Sequence, residues 1–249
     1  MIKIFKDKNS LSIGAAELFS QCAGKAIKKR GTFLVALSGG GTPRGMYETL
    51  ASPLYRDRVD WEHTEVFWGD ERCVSICDER SNCGMAFQYL LGRIPIPREN
   101  IHPILCEENP SRGAKEYEKF LRAFFKGQRP RFDLILLGLG ENGHTASLFP
   151  GTGILHEMNN LVGCLHVKKE KYRRVSLTAP AINQAAVVAF MVTGASKASV
   201  LRDVLEGPFD PDRLPAQMIK PVDGELLWLI DRDAASLLTN ISGETGKLL

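Results

Sequence analysis

The stretch FDLILLGLGENGHTASLFPG, residues 132–151, begins with a short apolar run and ends in glycines, a histidine and a proline. Its apolar residues follow one another without alternating with polar ones, which is the pattern of a strand covered on both faces. Three glycines follow at positions 138, 140 and 143, and His144 comes directly after them. We therefore predict a strand over residues 134–139 that brings His144 to the edge of a parallel sheet.

Apolar runs of the same kind alternate along the chain with segments of helical spacing. The predicted strands are residues 32–37, 65–68, 134–139, 175–178, 187–193 and 227–230. The predicted helices are residues 11–29, 43–50, 81–91, 111–125, 196–205 and 234–238. This alternation predicts an α/β fold with a doubly wound, mainly parallel sheet and helices on both faces, as in Rossmann-like proteins. No linker divides the chain, so we expect a single domain over residues 1–249.

Composition and charge narrow the class of protein. The chain has 249 residues, of which 44% are hydrophobic and 24% charged, as is usual for a soluble globular protein. The net charge is +3 and no long basic run occurs, so we expect no nucleic-acid partner. The apolar runs are too short to span a bilayer, and the N-terminus lacks a signal-peptide pattern. We expect a cytoplasmic protein without a membrane partner, and no feature indicates an obligate protein partner.

The six cysteines suggest neither a metal site nor a disulfide framework. The cluster Cys73-x3-Cys77-x5-Cys83 is the one arrangement that resembles a metal site. It has no paired C-x2-C units and no histidine, which structural zinc sites generally use. We therefore expect no metal, and reduced, partly buried thiols, as is usual in the cytosol.

Glycine-rich and polar segments follow several of the predicted strands. Ligands of open α/β sheets bind beyond the carboxyl ends of the strands, so these segments are candidate binding loops. The first comprises Ser38, Gly39, Gly40, Gly41 and Thr42. Its glycines allow close approach to a ligand, and the start of the next helix favours an anion, with Thr42 as the N-cap. The alternatives for this loop are a phosphate cradle and a plain strand-to-helix turn.

Two further loops supply side chains that can take part in catalysis. Asp70, Glu71 and Arg72 follow a predicted strand and form either a solvated salt-bridge cluster or part of a site. In the second case Arg72 holds a substrate oxygen, and Asp70 orients a neighbouring donor or the histidine. His144 is either structural or a base that accepts a proton from water. Residues 145–148 are predicted to begin a short helix.

Cations occur at two more positions. Lys197 lies at a predicted helix start, where a bound anion would offset its repulsion by the helix dipole. Arg174 is either half of a surface pair with Arg173 or a second cation of the site. We find no nucleophile elbow and no H-E-x-x-H motif. Together these loops indicate activation of water on a small phosphorylated substrate.

At these residues the chain resembles the 6-phosphogluconolactonases of the wider glucosamine-6-phosphate isomerase/6-phosphogluconolactonase superfamily. The resemblance covers nearly the whole chain, through the motifs LSGGGTPRGMYETLA, VFWGDERCV, ERSNCGMA, FDLILLGLGENGHTASLFPG, RRVSLTAPAINQA, TGASKASVL and LPAQMIKPVDGELLWLID. It implies hydrolysis of 6-phosphoglucono-δ-lactone to 6-phosphogluconate in the oxidative pentose phosphate pathway. The family needs no cofactor for this reaction.

The resemblance also implies a role for each candidate residue. His144 is similar to the family's catalytic base, and Arg72 to the residue that holds the developing charge. The loop from Gly39 to Thr42, with Lys197 and Arg174, is similar to the phosphate-binding set. Asp70 and Asn82 are implied to order the site.

Asn142 departs from the family pattern, which commonly has aspartate two residues before the histidine. An amide oxygen can accept a hydrogen bond from an imidazole N–H, but it cannot stabilise an imidazolium as a carboxylate does. Two hypotheses remain: either Asn142 orients a neutral ring, or Asp70 or another carboxylate carries the charge role.

Two alternative functions have less support from the sequence. In the related glucosamine-6-phosphate deaminases, a glutamate that serves the ring-opening histidine occupies the place of Phe149, and a tyrosine occupies that of Arg72. The second alternative is a non-catalytic sugar-phosphate sensor of the transcriptional-regulator type. Such regulators usually carry a helix-turn-helix before this domain, whereas the first helix here is expected near Leu11.

Overall fold

The computed structural model describes residues 1–167 and 171–239. Its main sheet has six parallel strands in the order β1-β9-β8-β5-β2-β3. These strands are β1 (Ile2–Phe5), β2 (Phe33–Leu37), β3 (Thr64–Trp68), β5 (Leu134–Leu137), β8 (Val187–Val192) and β9 (Glu225–Asp231). All four residues of β5 are buried, as its continuous apolar sequence predicts.

Helices between the strands complete a doubly wound α/β fold, so the predicted fold class is confirmed. They are α1 (Lys8–Arg30), α2 (Gly41–Leu50), α3 (Pro53–Arg56), α4 (Asn82–Tyr89), α5 (Pro110–Phe124), α6 (Ala179–Ile182) and α7 (Ala198–Glu206). Helix α1 begins where Asp7 accepts a hydrogen bond from the Ser10 N–H, and ends at Gly31, whose φ of 80° is left-handed. The extent of the domain over residues 1–249 stays a prediction, because residues 240–249 lie outside the described part.

The strand order reverses between β2 and β5. From β2 the chain proceeds to β3 on one side, and the later strands β5, β8 and β9 follow on the other. Such a reversal opens a crevice beyond the carboxyl ends of the two strands. The loops that begin at Ser38 and Gly138 therefore flank the crevice.

A second, three-stranded antiparallel sheet contains β4 (Asp70–Arg72), β7 (Arg173–Leu177) and β6 (Val162–His166), in the order β4-β7-β6. We predicted residues 70–72 as a loop, which is wrong. The strand predicted over residues 175–178 is confirmed as part of β7, but it lies in this second sheet and not in the main one. Gly69 links the two sheets, since its N–H donates to Leu37 and its carbonyl accepts from the Leu177 N–H. A charged three-residue strand carries no apolar periodicity, so the pattern could not reveal it.

The predicted C-terminal helix over residues 234–238 is also absent, and this segment forms turns instead. The buried carboxylate of Asp231 accepts hydrogen bonds from the Ala234 and Gly194 backbone N–H groups. These bonds tie the end of β9 to the loop after β8. Ala234 and Ala235 of this turn are buried in the core and Leu238 packs against it, whereas Leu237 is exposed.

Tyr47 of α2 connects the hydrophobic core to the glycine loop. It is fully buried, its hydroxyl donates to the Ser38 carbonyl oxygen at 2.7 Å, and it accepts from the Ser38 N–H at 3.2 Å. Burial raises the pKa of Tyr47, so the hydroxyl stays protonated at neutral pH. The backbone at Ser38 is thus held from inside the protein.

Cys73 and Cys106 form a disulfide, which corrects our expectation of reduced thiols. The two residues are 33 positions apart, and β4 and the segment before α5 bring their Cα atoms to 4.9 Å. Sequence spacing alone could not reveal this contact, because the strand that positions Cys73 was itself missed. None of the described helices is long and apolar enough to cross a membrane.

Candidate active site

A cavity of about 350 Å³ lies at the crevice between the carboxyl ends of β2 and β5. The loops after β2, β5 and β8 contribute to its wall, together with β4, β7 and the start of α4. The predicted site residues that line it are Ser38, Gly39, Gly40, Gly41, Thr42, Asp70, Arg72, Asn82, His144, Arg174 and Lys197. Asn142 is the exception among the predicted residues: it contacts the Nδ1 edge of the His144 ring and lines a neighbouring cavity.

The glycine loop leads directly into α2. Gly40 has a φ of 105°, which favours glycine, and the helix begins at Gly41. Among the described residues no side chain caps this helix, so the prediction that Thr42 is the N-cap is wrong. The Thr42 hydroxyl instead lies 2.8 Å from the Thr193 hydroxyl at the end of β8. An uncapped helix N-terminus leaves backbone N–H groups for an anion.

The Asn82 side chain lies between the glycine loop and β4. A Cβ atom added to Gly39 would lie 1.7 Å from the Asn82 Oδ1, so only glycine allows this approach. The Asn82 Nδ2 donates to two oxygens of Asp70, the backbone carbonyl oxygen at 2.9 Å and the side-chain Oδ1 at 3.1 Å. Asp70 also accepts from the Ser147 hydroxyl at 2.6 Å. Asp70 therefore orders neighbouring donors, one of the two roles expected for it.

Glu71 accepts a set of buried hydrogen bonds that the sequence did not predict. Its carboxylate accepts from the backbone N–H groups of Arg72, Asn82 and Cys83 at 2.7–2.8 Å, and from the Ser81 hydroxyl at 3.2 Å. Burial raises the pKa of Glu71, and the backbone donors act in the opposite direction. These bonds join β4 to the first turn of α4 and so fix Arg72 relative to Asn82.

Two arginines face the cavity from adjacent strands. Arg174 is 5% exposed, and its Nη1 lies 3.8 Å from the Asp70 Oδ2 and 3.5 Å from the Ser147 Oγ. Arg72, its register partner on β4, donates from Nη1 to the Arg80 carbonyl oxygen at 2.5 Å. The pairing of β4 with β7 thus brings together two cations that are distant in sequence.

Three buried polar atoms on residues that line this cavity have no hydrogen-bond partner in the described part of the chain. They are the Ser38 Oγ, the Arg72 Nε and the Asn82 Oδ1. Buried polar groups in proteins are normally paired, because leaving them unsatisfied costs about 1–3 kcal/mol each. The protein thus leaves three buried polar groups unsatisfied on residues beside the cavity.

His144 is oriented by Asn142. Its Nδ1 lies 2.5 Å from the Asn142 Oδ1, and its backbone N–H donates to the same oxygen at 3.3 Å. The backbone bond identifies this atom as the amide oxygen, so Nδ1 must carry the proton. In the neutral ring, Nε2 then holds the lone pair that accepts a proton.

The loop after His144 differs from our prediction of a short helix over residues 145–148. Thr145 and Leu148 form an isolated antiparallel bridge, and Ala146 has a φ of 46°. This tight turn directs Ser147 towards Asp70 and Phe149 towards the imidazole. Ser147 and Phe149 are the contacts that sequence reasoning missed, since no periodicity marks a residue in such a turn.

A buried thiol, Cys83, follows Asn82 in the first turn of α4. Burial raises the pKa of the Cys83 thiol to about 12, so this thiol is protonated at neutral pH and is a poor nucleophile. In residues 1–167 and 171–239, no group of three or more histidines, cysteines and carboxylates is arranged to hold a metal ion.

A larger cavity of about 1180 Å³ adjoins the first between α5 and β6, and Phe149 lines both. Its floor is largely apolar, from Ile154, Val162 and Leu165. His144 and the predicted cations line the smaller cavity, which is therefore the candidate site.

Comparison with known proteins identifies the family. The sequence profile of the family "Glucosamine-6-phosphate isomerases/6-phosphogluconolactonase" matches residues 6–228. The chain belongs to this family of sugar-phosphate enzymes.

Among individual relatives, the similarity is to proteins named 6-phosphogluconolactonase. The protein of that name from Synechocystis sp. is 44% identical, over 86% of this chain and 88% of its own. The one from Nostoc sp. is 38% identical, over 96% and 98%. The solved 6-phosphogluconolactonase of Trypanosoma brucei superposes with a TM-score of 0.83 at 27% identity, over 96% and 98%.

Proposed function

We propose that this protein hydrolyses 6-phospho-D-glucono-1,5-lactone to 6-phospho-D-gluconate, as a step of the oxidative pentose phosphate pathway. The names of its relatives support the substrate class. The observation that carries the proposal is the single 350 Å³ cavity lined by His144, Arg72, Arg174, Lys197 and the start of α2. This volume is within the range of small-ligand sites. A cytoplasmic location and the absence of an obligate partner stay predictions from the sequence.

The substrate phosphate binds at the glycine loop in this proposal. The N-terminus of α2 supplies backbone donors and the positive end of the helix dipole. Lys197, whose side chain is 23% exposed, and the buried Arg174 supply charge. Anchoring the phosphate places the far end of the sugar ring, which carries the lactone carbonyl, towards His144 and Arg72.

His144 acts as the general base at the carbonyl. Its Nε2 takes a proton from water, and the resulting hydroxide adds to the carbonyl carbon. Arg72 stabilises the negative charge that develops on the carbonyl oxygen. When the tetrahedral intermediate collapses, the bond to the ring oxygen breaks, and the imidazolium returns its proton to that oxygen. A lactone is an activated ester, so an oriented water and oxyanion stabilisation suffice without a covalent nucleophile.

The related deaminase activity has less support. It needs ring opening by a histidine, which a glutamate at the position of Phe149 serves, and proton transfer between carbons 1 and 2. Here that position contributes an aromatic ring stacked on the base. Release of ammonium from glucosamine 6-phosphate is the matching assay, and we expect none.

Acid release from authentic 6-phospho-D-glucono-1,5-lactone, measured in weakly buffered solution against the spontaneous rate, tests the proposal. We expect the wild-type protein to accelerate hydrolysis and His144→Ala to lose about 10²–10⁴-fold in kcat. His63→Ala is the matched control, because His63 is exposed and precedes β3 at the opposite end of the sheet. No acceleration by the wild-type protein would overturn the proposal.

A further inference from the structure

The imidazole of His144 lies flat against the ring of Phe149. Their ring centroids are 3.9 Å apart, and their planes are inclined by 19°. Phe149 is 7% exposed and belongs to the hydrophobic core cluster, so its own position is set by packing. A fixed aromatic face at this distance restricts the rotation of the imidazole about its side-chain bonds.

Gly140 provides a second wall for the same ring. A Cβ atom on Gly140 would lie 2.1 Å from both the Cε1 and the Nδ1 of His144. The Gly140 N–H donates to the His144 carbonyl oxygen at 2.8 Å, which fixes the two backbones relative to one another. With Asn142 at Nδ1, contacts therefore hold the ring through its faces and its edge.

Phe149 also contacts the buried cation of the site. The Arg174 Cζ lies 5.1 Å from the centroid of the Phe149 ring, within the range of a cation–π interaction. Arg174 is in turn next to Asp70, at 3.8 Å. One aromatic side chain thus contacts both the base and a cation proposed to bind phosphate.

We propose that Phe149 is a positioning residue that sets the plane of His144 and its placement relative to Arg174. This inference rests on the proposed lactonase function. The substrate is held at its phosphate end, near Arg174, and attacked at its carbonyl end, near His144. The rate therefore depends on how Arg174 and His144 are placed relative to one another. A misplacement of about 1 Å can cost on the order of 100-fold in rate. Phe149 does not itself exchange a proton with the substrate.

Phe149→Leu is the test, because leucine keeps an apolar side chain but removes the flat face. We expect kcat to fall by about 10- to 100-fold, with a smaller rise in KM through the lost contact with Arg174, since an orienting residue acts mainly on the chemical step. Phe149→Tyr retains the ring and should recover most of kcat. Phe190→Leu is the matched control, since it removes another stacked ring, 3.9 Å from Trp228, in the core. We expect that control to lose stability and keep its kcat.

Gly140→Ala tests the same geometry if Phe149→Leu fails to fold. The added methyl group must displace the imidazole while Phe149 stays in place, so kcat should fall with little change in KM. The φ of Gly140 is outside the left-handed region, so alanine introduces a steric change without backbone strain. Gly24→Ala, where the new Cβ has nothing within 4 Å, is the control.

A spectroscopic measurement separates this inference from the proposed function. The ring protons of His144, identified by their loss in His144→Ala, should be shifted upfield by the Phe149 ring current and move downfield in Phe149→Leu. An unchanged shift, or a Phe149→Leu kcat within twofold of wild type, would overturn the positioning role. Failure of the wild-type protein to hydrolyse the lactone would instead overturn the proposed function, because the ring-proton shift does not depend on substrate.

Discussion

The amide oxygen of Asn142 accepts both the Nδ1 proton and the backbone N–H of His144. This contact fits the first of the two hypotheses that the sequence left open, in which Asn142 orients a neutral ring, and the charge at the ring stays a prediction. An amide fixes the tautomer as a carboxylate would, with the proton on Nδ1 and the lone pair on Nε2. It adds no negative charge that would stabilise the imidazolium.

Replacing Asn142 by aspartate should therefore change the pH dependence of the rate. The new carboxylate would favour the protonated imidazole, and the protonated ring cannot accept a proton from water. We expect the acid limb of the profile of kcat/KM against pH to move to higher pH by about one unit or more. The measurement is the initial rate of lactone hydrolysis between about pH 5 and 8, corrected for spontaneous hydrolysis, over the range in which the imidazole titrates.

Two companion variants separate charge from orientation at this position. Asn142→Ala removes the acceptor, so kcat should fall while the midpoint of the acid limb stays in place. Asn9→Asp, in the exposed first turn of α1 and outside the cavity lining, adds the same charge and should leave the profile unchanged. Superimposable profiles for wild type and Asn142→Asp would contradict electrostatic coupling between residues 142 and 144.

Lys197→Ala should mainly weaken substrate binding. Its Nζ lies 3.8 Å from a carboxylate oxygen of Glu141, which is 72% exposed, so this pair contributes little to stability. A hydrogen bond from the ammonium to a phosphate is worth about 1.5–3 kcal/mol. We therefore expect KM to rise by about 10- to 100-fold and kcat to stay within about threefold.

Inorganic phosphate provides a second measurement of the same site. Its inhibition constant should rise in parallel with KM in Lys197→Ala. Lys25→Ala, an exposed lysine of α1, should change neither constant. If KM stays at its wild-type value in Lys197→Ala, Lys197 is not part of the phosphate site.

Asp70→Asn should destabilise the protein in a way that phosphate partly reverses. The substitution removes a buried negative charge 3.8 Å from Arg174 and alters the 2.6 Å bond from Ser147. Breaking a buried pair by neutralising one partner costs on the order of 3 kcal/mol. An anion bound near Arg174 would supply the missing charge, so phosphate should raise the unfolding temperature more in Asp70→Asn than in wild type. Equal shifts in the two proteins would contradict this role of Asp70.

The contacts of the site that the sequence could predict are those between residues of one short loop, the loop after β5. The glycines before His144 and the Asn142–His144 contact lie within a few residues of one another, so their proximity follows from the sequence. Arg174 is different, because it reaches Asp70 only through the pairing of β4 with β7. That pairing depends on a charged strand without apolar periodicity, and the second sheet was missed for this reason.

Contacts at long sequence separation were the hardest to predict. Ser147 bonds to Asp70 across 77 residues, and the turn that allows it has a left-handed Ala146. A backbone conformation that alanine rarely adopts cannot be inferred from the residue type. The roles of Glu71 and Phe149 depend in the same way on packing that no local pattern encodes.

The Cys73–Cys106 disulfide should make stability depend on reducing agents. It closes a loop of 33 residues, and cross-links of this kind contribute about 2–4 kcal/mol through the entropy of the unfolded chain. We expect a reductant to lower the unfolding temperature of the wild-type protein and to leave that of Cys106→Ser unchanged. Cys77→Ser, at an exposed free cysteine, should respond to the reductant as wild type does.

Titration of thiols in the denatured, unreduced wild-type protein should give four per chain, at Cys22, Cys77, Cys83 and Cys164. Six reactive thiols, together with an unfolding temperature that a reductant does not change, would contradict the disulfide.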